Sequence, residues 1–321
     1  MIDLGKVKGL GTWPETRVGI ERAVRDVLGE LPKQRGELQI KTVDEHSFPG
    51  FTRRRVNYFV GDWERVSAWV FLPDGRDDVP GILCCHQSVP QGKDETAGLS
   101  GHPKMAFAQH FAELGYATIA PDCVTAGERR PAKGSAFDTK GFYKENPNAS
   151  VVGKMLVDHQ HALDVLCDIS RVDSARIGVI GHSLGGVNAM MMAAFDDRVQ
   201  VCVSSCAFTR FTDDDDPERW VREEGFTHFP KLREAVKARE FPFDWEHLLA
   251  LIAPNPTLVI SATNDEVLSN TKSVDKAVKS ARSIYKMLGE QSALDHYVHS
   301  RGHGMTVEIL EQCDDWFDRW L

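Results

Sequence analysis

The chain has 321 residues, 42% of them hydrophobic and 26% charged, enough apolar material for a large buried core, which excludes a disulfide mini-scaffold, a disordered tail and a collagen-like repeat. The formal net charge of −9 suits neither nucleic acid nor an anionic membrane as a partner. Seven cysteines without a C-x-x-C pair read as reduced, mostly buried small hydrophobes. The first residues carry no secretory signal, and no apolar run approaches the roughly 18 residues of a membrane span. The expected location is the cytoplasm.

Residues 14–30 carry Val18, Ile20, Ala23, Val24, Val27 and Leu28 at helical spacing, which predicts an amphipathic helix. β-like segments follow at 38–43, 55–61 and 66–72, the last closed by the turn Pro73-Asp74-Gly75. Beyond residue 79, short strands at 81–85, 117–120, 176–180, 199–204, 257–262 and 294–299, most of them apolar, alternate with helical stretches near 103–114, 153–169, 184–194, 271–288 and 305–320. Such alternation predicts an α/β fold with a mostly parallel, doubly wound sheet, and the early strands give it an antiparallel start. Residues 1–64 are read as a helix and leading strands packed on a catalytic domain of residues 65–321. Two cap-like insertions, 124–150 and 207–250, interrupt that domain, and the aromatic content of the second argues against disorder.

Chemistry enters at Gly181-His182-Ser183-Leu184-Gly185-Gly186, which follows an apolar strand and precedes a helix of small residues. This is G-x-S-x-G in the strand–turn–helix setting that exposes a nucleophilic serine. A serine hydroxyl needs a base, and the base needs a carboxylate to orient it. Downstream histidines are His228, His247, His296, His299 and His303. His303 lies in a glycine-flanked loop after the last strand and is the chosen base. Asp265, the first carboxylate beyond the strand at 257–262, is the chosen acid, with Glu266 as runner-up. The backbone amides of Leu184 and of Gln87 or Ser88 are the candidate oxyanion donors, and His86 is read as ordering that loop.

With these motifs in this order, the chain resembles the α/β-hydrolase superfamily and, within it, the dienelactone-hydrolase-like and acetyl-xylan-esterase-like esterases. Further carriers are Cys85-His86-Gln87 with Gly92-Lys93-Asp94-Glu95, Gly127-Glu128-Arg129, Pro121-Asp122 and Val172-Asp173. The resemblance implies the α/β-hydrolase fold and a cofactor-free serine esterase. Dienelactone hydrolases use cysteine where Ser183 stands here, which favours an ordinary ester. The H-G common in acetyl-xylan-esterase-like members is replaced by His86-Gln87.

Among the remaining residues, Arg129 and Arg130 are candidates for binding a substrate carboxylate, the alternative being ion pairs that pack a loop. Trp220, with Phe226, Phe229 and Trp245, either lines an acyl pocket or packs the second insertion on the body. Asp213–Asp216 is expected to be a solvated helix start rather than a cation site, and no metal is assigned. The reading is a serine hydrolase that cleaves a carboxylic ester of a small or medium-sized molecule, with self-association through the first or last helix. The alternatives are a small-peptide peptidase, a C–C bond hydrolase with the same triad, and a catalytically silent binding module.

Overall fold

The computed structural model describes residues 1–31, 38–60, 64–132, 134–268 and 271–321. Its centre is one nine-stranded sheet: β1 (Ile40–Phe48), β2 (Phe51–Val60), β3 (Glu64–Pro73), β4 (Val79–Cys85), β5 (Ala117–Pro121), β6 (Val172–His182), β7 (Val199–Ser205), β8 (Thr257–Ala262) and β9 (Leu294–His299). The spatial order is β1-β2-β3-β5-β4-β6-β7-β8-β9. Pairing is antiparallel from β1 through β5 and parallel from β5 to β9. The antiparallel start and the parallel body are thus both present.

The central strands read as unbroken apolar runs because both of their faces are covered. In β4, Leu83 and Cys85 enter one hydrophobic cluster while Ile82 and Cys84 enter the other. In β6 the same split separates Val179 from Ile180. The helices Val151–Cys167 and Leu184–Phe195 cover the first face, and Phe107–Glu113 and Val307–Trp320 cover the second. The N-terminal helix Trp13–Leu28 buries Trp13, Ile20, Val24, Val27 and Leu28, and Arg17 donates to the Leu251 carbonyl at 3.2 Å.

Several boundaries move. The expected strand 38–43 extends to Phe48 and bulges between Thr42 and Asp44; it is an exposed edge, so no one-sided apolar alternation marks it. The segment 55–61 begins earlier, at Phe51, and its residue 61 lies outside the described residues. The helix expected from 103 opens as a 3₁₀ turn, Pro103–Met105, and becomes α-helical only from Phe107. The His102 side chain caps that turn by accepting from the Lys104 amide. Asp213–Asp216 is not uniformly solvated. Asp214 is buried and accepts from the Trp220 indole at 2.9 Å. All seven cysteines are free thiols, and no described helix is long and apolar enough to cross a membrane.

Candidate active site

Parallel strands deliver their C-terminal ends to one edge, where Cys85 pairs with Gly181 and His182 with Ser205. Just beyond β6 the chain reverses into the helix Leu184–Phe195, with Ser183 at φ 55° and ψ −122°. That is a strained position for a residue with a side chain, and it projects the hydroxyl from the turn. The flanking glycines are sterically required. A Cβ on Gly181 would lie 2.1 Å from the Gly185 carbonyl oxygen, and one on Gly185 would lie 2.2 Å from the Cys85 oxygen. The Ser183 amide donates to the Ser205 carbonyl at 2.8 Å, which pins the turn to β7.

His303 and Asp265 arrive from the next two strand ends. His303 Nδ1 donates to Asp265 Oδ2 at 2.7 Å, and the other carboxylate oxygen accepts from the Val267 and Leu268 amides, each at 2.8 Å. Burial alone would raise the Asp265 carboxyl, but the hydrogen bond from His303 and those two amides hold it below the usual carboxylate range. Glu266, the runner-up, accepts from the His303 backbone amide at 3.4 Å and, among the described residues, makes no hydrogen bond to the His303 ring. Three of the remaining histidines are engaged elsewhere, while His228 lies in the second insertion. His247 caps the helix Trp245–Ile252, His296 bonds the Ser261 hydroxyl at 2.8 Å, and His299 Nδ1 accepts from the Arg301 amide at 3.2 Å.

His182 ties the two halves together. Its ring centroid is 4.7 Å from that of His303, so the base lies beside the serine turn. Burial, helped by the nearby His303, pushes the His182 pKa down to about 3, and Nδ1 meets the Ser205 hydroxyl at 3.0 Å. It is therefore a neutral spacer that packs against the catalytic candidate.

The loop after β4 is held by a buried charge cluster. His86 Nδ1 donates to the Gln87 carbonyl at 2.7 Å, and His86 Nε2 accepts from the Cys123 amide at 2.9 Å. Gln87 donates its side-chain amide to Glu95 at 2.9 Å. Lys93, buried, bonds Asp122 and Glu128, each at 2.8 Å. Gly127 and Gly92 let the backbone close on that carboxylate, since Cβ atoms there would sit 1.9 and 2.3 Å from Asp122 Oδ1. These contacts explain the G-K-D-E and G-E-R stretches singled out in the sequence.

A cavity of about 290 Å³ opens over Ser183. Ser88, Ser183 and Leu184 lie on one side of it, and the second insertion supplies Trp220, Phe226 and His228. Trp220, an expected pocket residue, is therefore a wall residue. Arg129 and Arg130 are not. Arg129 Nη1 donates to Asp158 at 2.7 Å and to the Asp122 carbonyl at 3.1 Å, and its other arm is taken by Glu64. These three bonds tie the guanidinium to the protein's own carboxylates and carbonyl, and Arg129 is not among the residues that line the cavity. Arg130 is exposed and outside the cavity walls. The arginines at the cavity are Arg219 and Arg222, which sequence reasoning missed because their insertion offers no periodicity from which to place side chains. Cys206, not expected beside the acid, places its sulfur within 4.8 Å of ligand atoms of Asp265 and His303. Burial pushes that thiol up to about 12, so it stays protonated and is a poor metal ligand.

Comparison with known proteins agrees with this architecture. A Bacillus subtilis (strain 168) protein described as a hydrolase, YtaP, is 29% identical over 302 residues, covering 92% of this chain and 96% of its own length. The glucuronoyl esterase of Solibacter usitatus matches in three dimensions with a TM-score of 0.76 at 17% identity, over 97% of this chain and 94% of that one. A promiscuous esterase from a marine bacterial metagenome matches with a TM-score of 0.76 at 17% identity, over 98% and 94%. These likenesses establish the α/β-hydrolase fold. The sequence profile of the prolyl oligopeptidase family matches residues 106–321, and the chain belongs to that family.

Proposed function

We propose that the protein is a serine hydrolase that cleaves a carboxylic ester of a small or medium-sized molecule through an acyl-enzyme on Ser183. The observation that carries this reading is the 2.7 Å His303–Asp265 pair set beside a serine held at φ 55°. The Ser183 oxygen attacks the ester carbonyl while His303 Nε2 takes its proton. Asp265 keeps the Nδ1 proton facing itself, which leaves Nε2 free to act as a base, and stabilises the imidazolium that forms. The tetrahedral oxyanion is met by the Leu184 amide and, from the other loop, by the amide of Gln87 or Ser88, of which Ser88 is the residue that lines the cavity. His303 then protonates the departing alcohol. Water, deprotonated by His303, attacks the acyl carbon and releases the acid. Residues 65–321 serve as the catalytic body, with 1–64 packed against it. The unpaired cysteines support action in a reducing compartment, the cytoplasm.

The family match favours a second reading, hydrolysis of a short peptide amide by the same three residues. Turnover of p-nitrophenyl acetate and butyrate, set beside aminoacyl-p-nitroanilides, separates the two. The expected result is ester hydrolysis that falls by about four orders of magnitude or more in Ser183→Ala. Equal ester turnover by both proteins would sink the proposal, and anilide cleavage exceeding ester cleavage would select the peptidase.

A further inference from the structure

The second oxyanion donor belongs to a loop, and a loop holds an amide in place only as well as its own contacts allow. Ser88 is exposed, so burial does not fix the dipeptide Gln87-Ser88. Hydrogen bonds grip it through Gln87 instead. The Gln87 carbonyl meets His86 Nδ1 at 2.7 Å, and the side-chain amide donates to Glu95 Oε2 at 2.9 Å.

Glu95 is an unusual group for that task. It is 3% exposed, and a carboxylate so buried is normally paired with a cation. The neighbouring Lys93 is turned instead to Asp122 and Glu128. The Glu95 carboxylate meets two neutral donors: the Gln87 side chain at Oε2 and, at 3.1 Å, the His102 backbone amide at Oε1. Gly101, at φ 82°, lets the chain close over it, since a Cβ there would lie 2.7 Å from Oε1. The platform beneath is itself pinned. Glu95 belongs to the short helix Lys93–Thr96. The Lys93 amide donates to Asp122 at 2.9 Å, and Asp94 accepts from the Trp69 indole at 2.7 Å. A bond to an ionised acceptor is stronger than one between neutral groups, so the hold on the loop beside Ser183 is firm and directional.

We infer that Glu95 is a positioning residue for acyl transfer: through the Gln87 side chain it holds the backbone of residues 87 and 88 where their amide meets the oxyanion. Glu95 itself is outside the cavity walls. This rests on the ester reading and goes beyond it by giving a role to a residue outside the triad and the oxyanion dipeptide. The oxyanion exists in the tetrahedral states and not in the bound ester. Loosening its donor therefore lowers kcat and leaves KM in place.

The test is p-nitrophenyl butyrate kinetics in Gln87→Met, which keeps the side-chain length and removes the donor. The expected result is a kcat lower by about tenfold or more, with KM within about threefold of wild type. Affinity for butylboronic acid, whose tetrahedral adduct on Ser183 sets an oxygen at the same amides, should fall by a similar factor. Glu95→Leu should show the same pattern. The double variant should lose no more than about twice the larger single loss, because both changes remove one bond. A kcat within about threefold of wild type in Gln87→Met overturns the inference. So does a kcat loss that leaves boronic acid affinity unchanged, or single losses that multiply in the double variant. Should Glu95→Leu fail to fold, Gln87→Met, at a partly exposed position, still decides. Failure of the ester reading looks different, because the wild type would then turn over the ester no faster than Ser183→Ala.

Discussion

Asp265→Asn is expected to lower kcat on p-nitrophenyl butyrate by about four orders of magnitude with little change in melting temperature. The carboxylate is 2% exposed and sends one oxygen to His303 Nδ1 at 2.7 Å. An asparagine oriented to keep its oxygen on the Val267 and Leu268 amides must turn its NH₂ toward His303. Nδ1 then becomes the acceptor, the ring proton moves to Nε2, and the nitrogen that should take the Ser183 proton is blocked. The fold keeps its two amide contacts, so the loss is one of tautomer and charge rather than of structure. The check is steady-state kinetics beside a thermal melt. A loss below tenfold would contradict the assignment and turn attention to Glu266, whose own replacement by Gln should cost no more than a few-fold.

The second large effect concerns stability. Asp158, 1% exposed, accepts from Arg129 at 2.7 Å and also bonds Lys154. Both cations have side chains less than a tenth exposed, and the other anion they share is the half-exposed Glu64. Removing one member of such a cluster strands buried charge, and Asp158→Asn should cost about 3–5 kcal/mol in urea unfolding at pH 7. The pH dependence has a definite sign. Burial alone would raise the Asp158 carboxyl, but Arg129 and Lys154 hold it below the usual range. A carboxyl with a depressed folded-state pKa contributes stability above its unfolded value of about 3.9, and that contribution is lost as pH falls through the lower folded value. The gap between wild type and variant should therefore be full at pH 7 and narrow below about pH 4. A gap under about 1 kcal/mol at pH 7 would contradict the structural role assigned to this cluster.

Much of the site was legible because its chemistry is local in sequence. Gly181 and Gly185 are forced by backbone approaches of about 2 Å, so the elbow appears as a contiguous motif. Asp265 follows a strand whose apolar run marks where the sheet edge lies, His303 sits in a glycine-flanked loop after the last strand, and the parallel register brings those strand ends together. The central strands were equally readable, since burial on both faces leaves an uninterrupted apolar signature. Long-range geometry was not readable. Arg129 stands within a few residues of Asp122 and resembles a substrate ligand, yet its partners Glu64 and Asp158 come from distant segments. Arg222 and His228 reach the cavity through an insertion held by aromatic packing among Phe211, Trp220, Phe229 and Trp245, and no spacing rule predicts which side of such a cluster faces the serine. Cys206, which follows the last residue of β7, lies beside the acid for the same reason: the contact joins neighbouring strand ends rather than neighbouring residues.

The central claim is that Ser183 is the nucleophile, and covalent trapping tests it most directly. Incubation of the folded protein with a fluorophosphonate, followed by intact-mass measurement and peptide mapping, should give a single adduct, on the peptide containing Ser183. Ester hydrolysis should disappear in proportion to labelling, and Ser183→Ala should stay unlabelled. Continued ester turnover with Ser183 unmodified, or modification of a different residue that abolishes turnover, would contradict the account.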